Sequence, residues 1–180
     1  MREEGKPADH SSISASGPQP AVAANPGGPM SAPRYPAYIL RRGGLGAGAA
    51  ILEARDASLK RLDPRLDLRN HSPTGFEWGY GGSGPAQLAL AICADALRSS
   101  DAPPLRFYQK LKFAAVARVP QNVTPWAMPR SAVLDWIEAV ADGREPPSFS
   151  LSAPDEDGIR WMELAPAGWR AAPDGSPSER

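Results

Sequence analysis

From Leu88 to Leu97 the chain reads Leu-Ala-Leu-Ala-Ile-Cys-Ala-Asp-Ala-Leu, with Asp95 the one polar residue. A helix apolar nearly all round belongs in a core, and its alanines let other backbones approach closely. Its start is marked by Pro85, which suits a first helical position because no partner awaits an N–H there. That makes Gly84 the predicted N-cap, with Gln87 at the third position to reach back to it. Ahead of the helix, residues 79–84 (Gly-Tyr-Gly-Gly-Ser-Gly) hold four glycines. Such a turn allows tight backbone geometry, and at a helix N-terminus it presents N–H groups to an anion.

The flanking pattern supplies the other elements. Tyr35–Arg42 reads as a strand and Ala49–Arg55 as its antiparallel partner, with Gly43–Gly48 as the loop between them. Leu59, Leu62, Leu66 and Leu68 punctuate a charged connector in which Pro64 stops any long helix. Asp67–Glu77 is rich in turn formers, and Phe76-Glu77-Trp78 is expected to pair as a short strand. Asp101, Pro103 and Pro104 open a second helix with Leu105, Phe107, Tyr108 and Leu111 on its apolar side. Lys112–Val119 has two readings, a third strand by its alternation or a continuation of that helix. A loop through Trp126 then leads to a third helix over Pro129–Ala141, where Val133, Trp136, Ile137 and Val140 recur at helical spacing. Gly143 fits its C-terminal cap.

These elements predict an α+β fold: a single small domain over residues 34–142, with an N-terminal β-hairpin, a buried central helix after a glycine-rich turn, and two further helices. Residues 1–33 are Ser, Pro, Ala and Gly-rich and are expected to be a disordered tail, since they cannot bury enough apolar surface to offset ordering. Residues 143–180 are expected to be mostly disordered, with one extra strand over 158–164. Trp161 and Trp169 in that tail either pack back on the core or meet a partner.

Charge changes the picture locally. The 180-residue chain has formal net charge zero, yet residues 34–142 hold 14 Lys and Arg against 10 Asp and Glu. Arg41, Arg42, Arg55, Lys60, Arg61, Arg65 and Arg69 cluster within it. This basic stretch, 41–69, with the anion-attracting glycine turn and Trp78 or Tyr80 to stack bases, is the basis for an alternative function as a nucleic-acid-binding accessory protein. A single cysteine excludes an internal disulfide. No stretch has the form of a secretion signal or the roughly 20 apolar residues of a membrane span. A soluble, cytoplasmic protein without a membrane partner is expected.

The chemistry is sparse. One cysteine in an apolar helix and one histidine in a tail leave His71 without the companions a zinc site needs, so no metal and no cofactor are expected. Ser83 as nucleophile, His71 as base and Asp67 or Glu77 as orienting group, with the glycine-turn N–H groups as oxyanion donors, sketch a small hydrolase or transferase. However, the G-x-S-x-G spacing of a nucleophile elbow is absent. No Walker lysine follows the glycines. The remaining reading is a non-catalytic interaction module. Its candidate surface comprises Arg69, Asn70, His71, Trp78, Tyr80, Gly81, Gly82, Ser83 and Gly84, binding a protein or a small anionic ligand.

The run Leu66-Asp67-Leu68-Arg69-Asn70-His71-Ser72-Pro73-Thr74-Gly75-Phe76-Glu77-Trp78, continued by Gly79–Ala91, resembles the domain-of-unknown-function family numbered 6166. The family signature is Trp-Gly-Tyr-Gly-Gly-Ser-Gly-Pro-Ala-Gln-Leu-Ala-Leu-Ala. The resemblance extends through Tyr108-Gln109-Lys110, Phe113, Val116-Ala117-Arg118 and Trp126 to Trp136-Ile137, over about residues 35–140. Cys93 and Pro129 depart from the family's usual aliphatic residue and helix cap. The resemblance implies a prokaryotic protein, often associated with plasmids and other mobile elements, and implies no chemistry.

Overall fold

The alanine-rich run is the rod around which the chain packs. In the computed structural model, which describes residues 36–43, 46–53, 59–98 and 103–165, it forms helix α1, Ser83–Leu97, buried from Gly84 through Ala94. Its N-cap is Gly82 rather than Gly84. The first i to i−4 bond runs from Ala86 N–H to the Gly82 carbonyl at 3.2 Å. Pro85 therefore occupies the last place where a missing N–H removes no helical bond.

Among the described residues, six strands form one sheet: β1 (Ala37–Gly43), β2 (Gly46–Glu53), β3 (Leu59–Arg61), β4 (Trp126–Pro129), β5 (Phe149–Pro154) and β6 (Arg160–Leu164). Their spatial order is β3-β2-β1-β4-β6-β5. The expected hairpin is β1 and β2, paired as far as Gly43 opposite Gly46. Two glycines assigned to the loop, Gly46 and Gly48, therefore lie in β2. Arg55 falls outside the described residues. The charged connector contributes β3, antiparallel to β2. Only Phe76 of the expected Phe76–Trp78 strand makes a bridge.

Helices α2 (Pro103–Ala114) and α3 (Arg130–Ala141) complete the α+β fold. The continued-helix reading of Lys112–Val119 holds, because the segment finishes α2 and passes into a 3-10 turn over Val116–Arg118. Lys112 is buried rather than alternating outward, so helical spacing and not a period of two sets its environment.

Strand β4 corrects the expected loop through Trp126. It lies between β1, to which it is antiparallel, and β6, to which it is parallel. All four of its residues are buried. A strand buried on both faces shows no alternation, which hid it. The sheet also runs past residue 142, into the stretch read as mostly disordered. β6 stands where an extra strand was expected, and β5 pairs with it through Phe149 opposite Leu164.

Alternation along β1 divides the core. Tyr38 and Leu40 join Trp126, Met128, Phe149 and Met162 against the three helices. Ala37 and Ile39 join Ala127, Ile159 and Trp161 in a smaller cluster on the other face. Trp161 thus packs inward, with its indole N–H donating to Asp155 Oδ2 at 2.7 Å. Trp169, like the tail over 1–33, lies outside the described residues.

Candidate functional site

The glycine turn is built by close approach. Gly79 has φ +85° and donates its N–H to the Val116 carbonyl at 3.1 Å. A Cβ on Gly84 would lie 2.6 Å from Glu77 Cβ, and one on Gly82 would lie 2.3 Å from the Tyr80 ring. The Tyr80 ring lies over Gly82, and helix α1 begins directly beneath it.

Gln87 holds the loop that precedes the turn. It is fully buried, and its amide oxygen accepts the His71 N–H at 2.7 Å and the Ser72 N–H at 3.2 Å. Its amide nitrogen donates to the carbonyls of Pro64 and Arg69. Two donors and two acceptor positions are all used. The expected capping role of Gln87 is therefore replaced by a fastening of residues 64–72 onto α1.

That fastening delivers Arg69 and His71 to α2. The guanidinium Nη1 of Arg69 donates to Tyr108 Oη at 3.3 Å, and His71 Nε2 lies 3.0 Å from the same oxygen. Arginine can only donate, so the Tyr108 oxygen accepts there, and the same oxygen meets Nε2 as donor or acceptor according to the imidazole tautomer. Burial pushes the His71 pKa below its ordinary value, and the charges of Arg69 and Lys112 push it the same way. Both charges acting on His71 are thus positive. One helical turn beyond Tyr108, buried Lys112 donates to the Gly81 carbonyl at 3.0 Å and lies 4.2 Å from the Phe113 ring centroid.

The other candidates separate from this cluster. Trp78 is fully buried, edge-on to Trp126 at 5.9 Å, and its indole N–H donates to the Val123 carbonyl at 3.2 Å. It belongs to the core and offers no stacking surface. The Glu77 carboxylate pairs with Arg42 Nη1 at 2.9 Å, and that guanidinium also caps the Trp78 ring. Ser83 is exposed in the first turn of α1, and Asn70 is exposed in the fastened loop. The imidazole of His71 is engaged with Tyr108, not with the Glu77 carboxylate that the sketched catalytic set would use. Cys93 is buried, which pushes its thiol pKa up and favours the unreactive protonated form.

The basic stretch 41–69 is partly neutralised by Glu77 and Asp67. Beyond the Arg42–Glu77 pair, Arg65 binds Asp67 through two nitrogens at 2.9 and 2.8 Å, holding that carboxyl below its ordinary pKa. Tyr108 and Lys112 are the site residues that sequence reasoning missed. Their spacing of four was the available signal, obscured when Lys112 was assigned to a possible strand. Among the described residues, no group of three or more His, Cys, Asp or Glu is arranged to hold a metal ion. No described helix is long and apolar enough to cross a membrane.

Among the described residues, three helices on one sheet define the class as an α+β domain. Within that class, the chain belongs to the family of unknown function DUF6166, whose model matches residues 42–139. No curated protein and no solved structure matches it.

Proposed function

We propose that this domain is a non-catalytic binding module that takes an anionic group at the Arg69–His71–Tyr108–Lys112 cluster beside the glycine turn. The observation that carries the reading is geometric: Arg69 Nη1 and His71 Nε2 converge on Tyr108 Oη, and one turn along α2 Lys112 lies buried against the Gly81 carbonyl, so two cationic side chains act on one imidazole. An incoming phosphate or carboxylate would relieve that excess positive charge and favour the imidazolium. The N-terminus of α1 contributes a dipole of the same sign at the same turn.

The test is an NMR titration of the imidazole signals with and without inorganic phosphate, at matched ionic strength. Comparison with His71→Gln assigns His71 against the chain's second histidine. The expected result is a midpoint below about 6.5 without phosphate, moved upward by phosphate, with a smaller movement in Arg69→Gln. A midpoint indifferent to phosphate refutes the reading.

A further inference from the structure

Helix α2 has a second working face. Tyr108 and Lys112 point into the cluster, whereas Arg106, Lys110 and Phe113 are exposed. Their spacing of four and then three places them in one stripe. Arg106 and Lys110 are separated by about 6 Å along the axis, and Phe113 follows after roughly 4.5 Å.

The stripe ends at the glycine turn. Phe113 is 60% exposed, the most exposed large apolar side chain among the described residues, and Tyr80 is 39% exposed. A Cβ on Gly81 would sit 3.3 Å from Phe113 Cε1, so that ring rests against the turn that carries Tyr80. Two aromatic surfaces therefore open to water beside a row of cations. From Asp101 to Asp135 the chain contains no intervening Asp or Glu, but it contains Arg106, Lys110, Lys112, Arg118 and Arg130. Glu77 and Asp67, in the segment leading to the turn, pair with Arg42 and Arg65.

We infer that the outer face of α2, with Phe113 and Tyr80 at its end, binds single-stranded nucleic acid. Arg106 and Lys110 meet the phosphate backbone, and the two rings stack unpaired bases. Stacking on exposed aromatics combined with a cationic track is how sequence-tolerant single-strand binding is achieved. A duplex, whose bases are already stacked on each other, offers such rings no open face. The inference rests on the anion-binding reading of the same turn and extends it from one anionic group to a chain of them. It also shifts the basic surface from the arginine stretch 41–69, where Arg42 and Arg65 are paired, to α2.

Fluorescence anisotropy of the full chain with labelled 15-nucleotide single-stranded DNA and RNA, and with a duplex of equal length, tests it. Single strands should bind more tightly than duplex. Tyr80→Ala and Phe113→Ala should each weaken binding roughly tenfold while leaving the salt dependence unchanged. Arg106→Gln combined with Lys110→Gln should instead flatten the log–log salt slope by about 1.4, at about 0.7 per phosphate contact. Circular dichroism melts verify that these exposed substitutions leave the fold intact. Absence of single-strand binding at low salt, a preference for duplex, or full affinity in both aromatic variants overturns the inference. If oligonucleotides fail while inorganic phosphate still moves the His71 titration, this inference falls and the anion-binding reading stands; if phosphate fails as well, both fall.

Discussion

Gln87 and Lys112 are the two buried polar side chains among the described residues, and both bind backbone carbonyls within the same third of the molecule. Their surroundings differ in kind. Gln87 is neutral and its amide is saturated by four hydrogen bonds to residues 64–72. Lys112 brings a full charge, shares it between one carbonyl and a ring face, and still acts on His71. The inner region of the signature is closed upon itself, and the outer region is left with unbalanced positive charge. Saturation marks a residue that holds the fold; surplus positive charge is what the proposed anion site would use.

The comparison is broken most severely at Gln87. Gln87→Leu keeps the volume roughly constant but strands two N–H groups and two carbonyls. Unsatisfied buried groups cost about 1–3 kcal/mol each, and some will reach water as the loop relaxes. The expected loss is about 3 kcal/mol or more in chemical denaturation. Arg69 and His71 should lose their placement at the same time. If the variant loses less than about 1 kcal/mol, residues 64–72 are held by something other than this amide. Gln87→Glu should fare no better near neutral pH, because it removes both donors and buries a carboxylate.

A smaller effect is expected at the turn. Gly84→Ala adds helix propensity worth nearly 1 kcal/mol, but its Cβ would meet Glu77 Cβ at 2.6 Å and Cγ at 2.9 Å. The Glu77 Cβ is fixed by the backbone and cannot swing aside. Net destabilisation of about 1–3 kcal/mol is expected, measured by thermal unfolding. Ser83→Ala, one residue earlier and exposed, should stay within about 0.5 kcal/mol. Equal effects at the two positions would mean that the glycine serves chain flexibility and not close packing.

The rod, the hairpin and the third helix were legible because each carries a signal that one segment alone can express: an apolar run opened by glycine and proline, two strands about a glycine loop, and helical spacing of apolar residues. Strand β4 lacked one: Trp126–Pro129 is short, lies inside the sheet and is buried on both faces. Strand β6 was legible as the extra strand over 158–164, whereas its partner β5 was masked by polar and proline-rich composition, although Phe149 anchors it in the main core. For the site, Arg69, His71 and the glycines were legible as an exposed, turn-forming run. Their partners were not, since Tyr108 lies 37 residues from His71 and only tertiary packing joins them. Trp78 misled for a related reason: the aromatic is a stacking residue or a core residue according to burial, which its own segment does not encode.

The finest test of the comparison is the pH dependence of stability. Because the folded-state pKa of His71 is depressed, the unfolded chain binds more protons than the folded one wherever the pH lies between the two values. Stability from this residue is therefore fully present above the unfolded value of about 6.5 and declines as pH falls through the window below it. The site is partly open to solvent, which keeps the slope shallow. His71→Gln keeps a side chain that can hydrogen-bond the Tyr108 hydroxyl as donor or acceptor but cannot titrate, so urea midpoints measured at several pH values should flatten in this variant. Saturating inorganic phosphate should flatten them in the wild type too, because a bound anion raises the depressed pKa toward its unfolded value. Gln87, uncharged and saturated, predicts no such ligand-dependent slope for the inner region. A slope that phosphate leaves untouched would place His71 on the same side of the comparison as Gln87, as a fastening of the fold and not a receptor for charge.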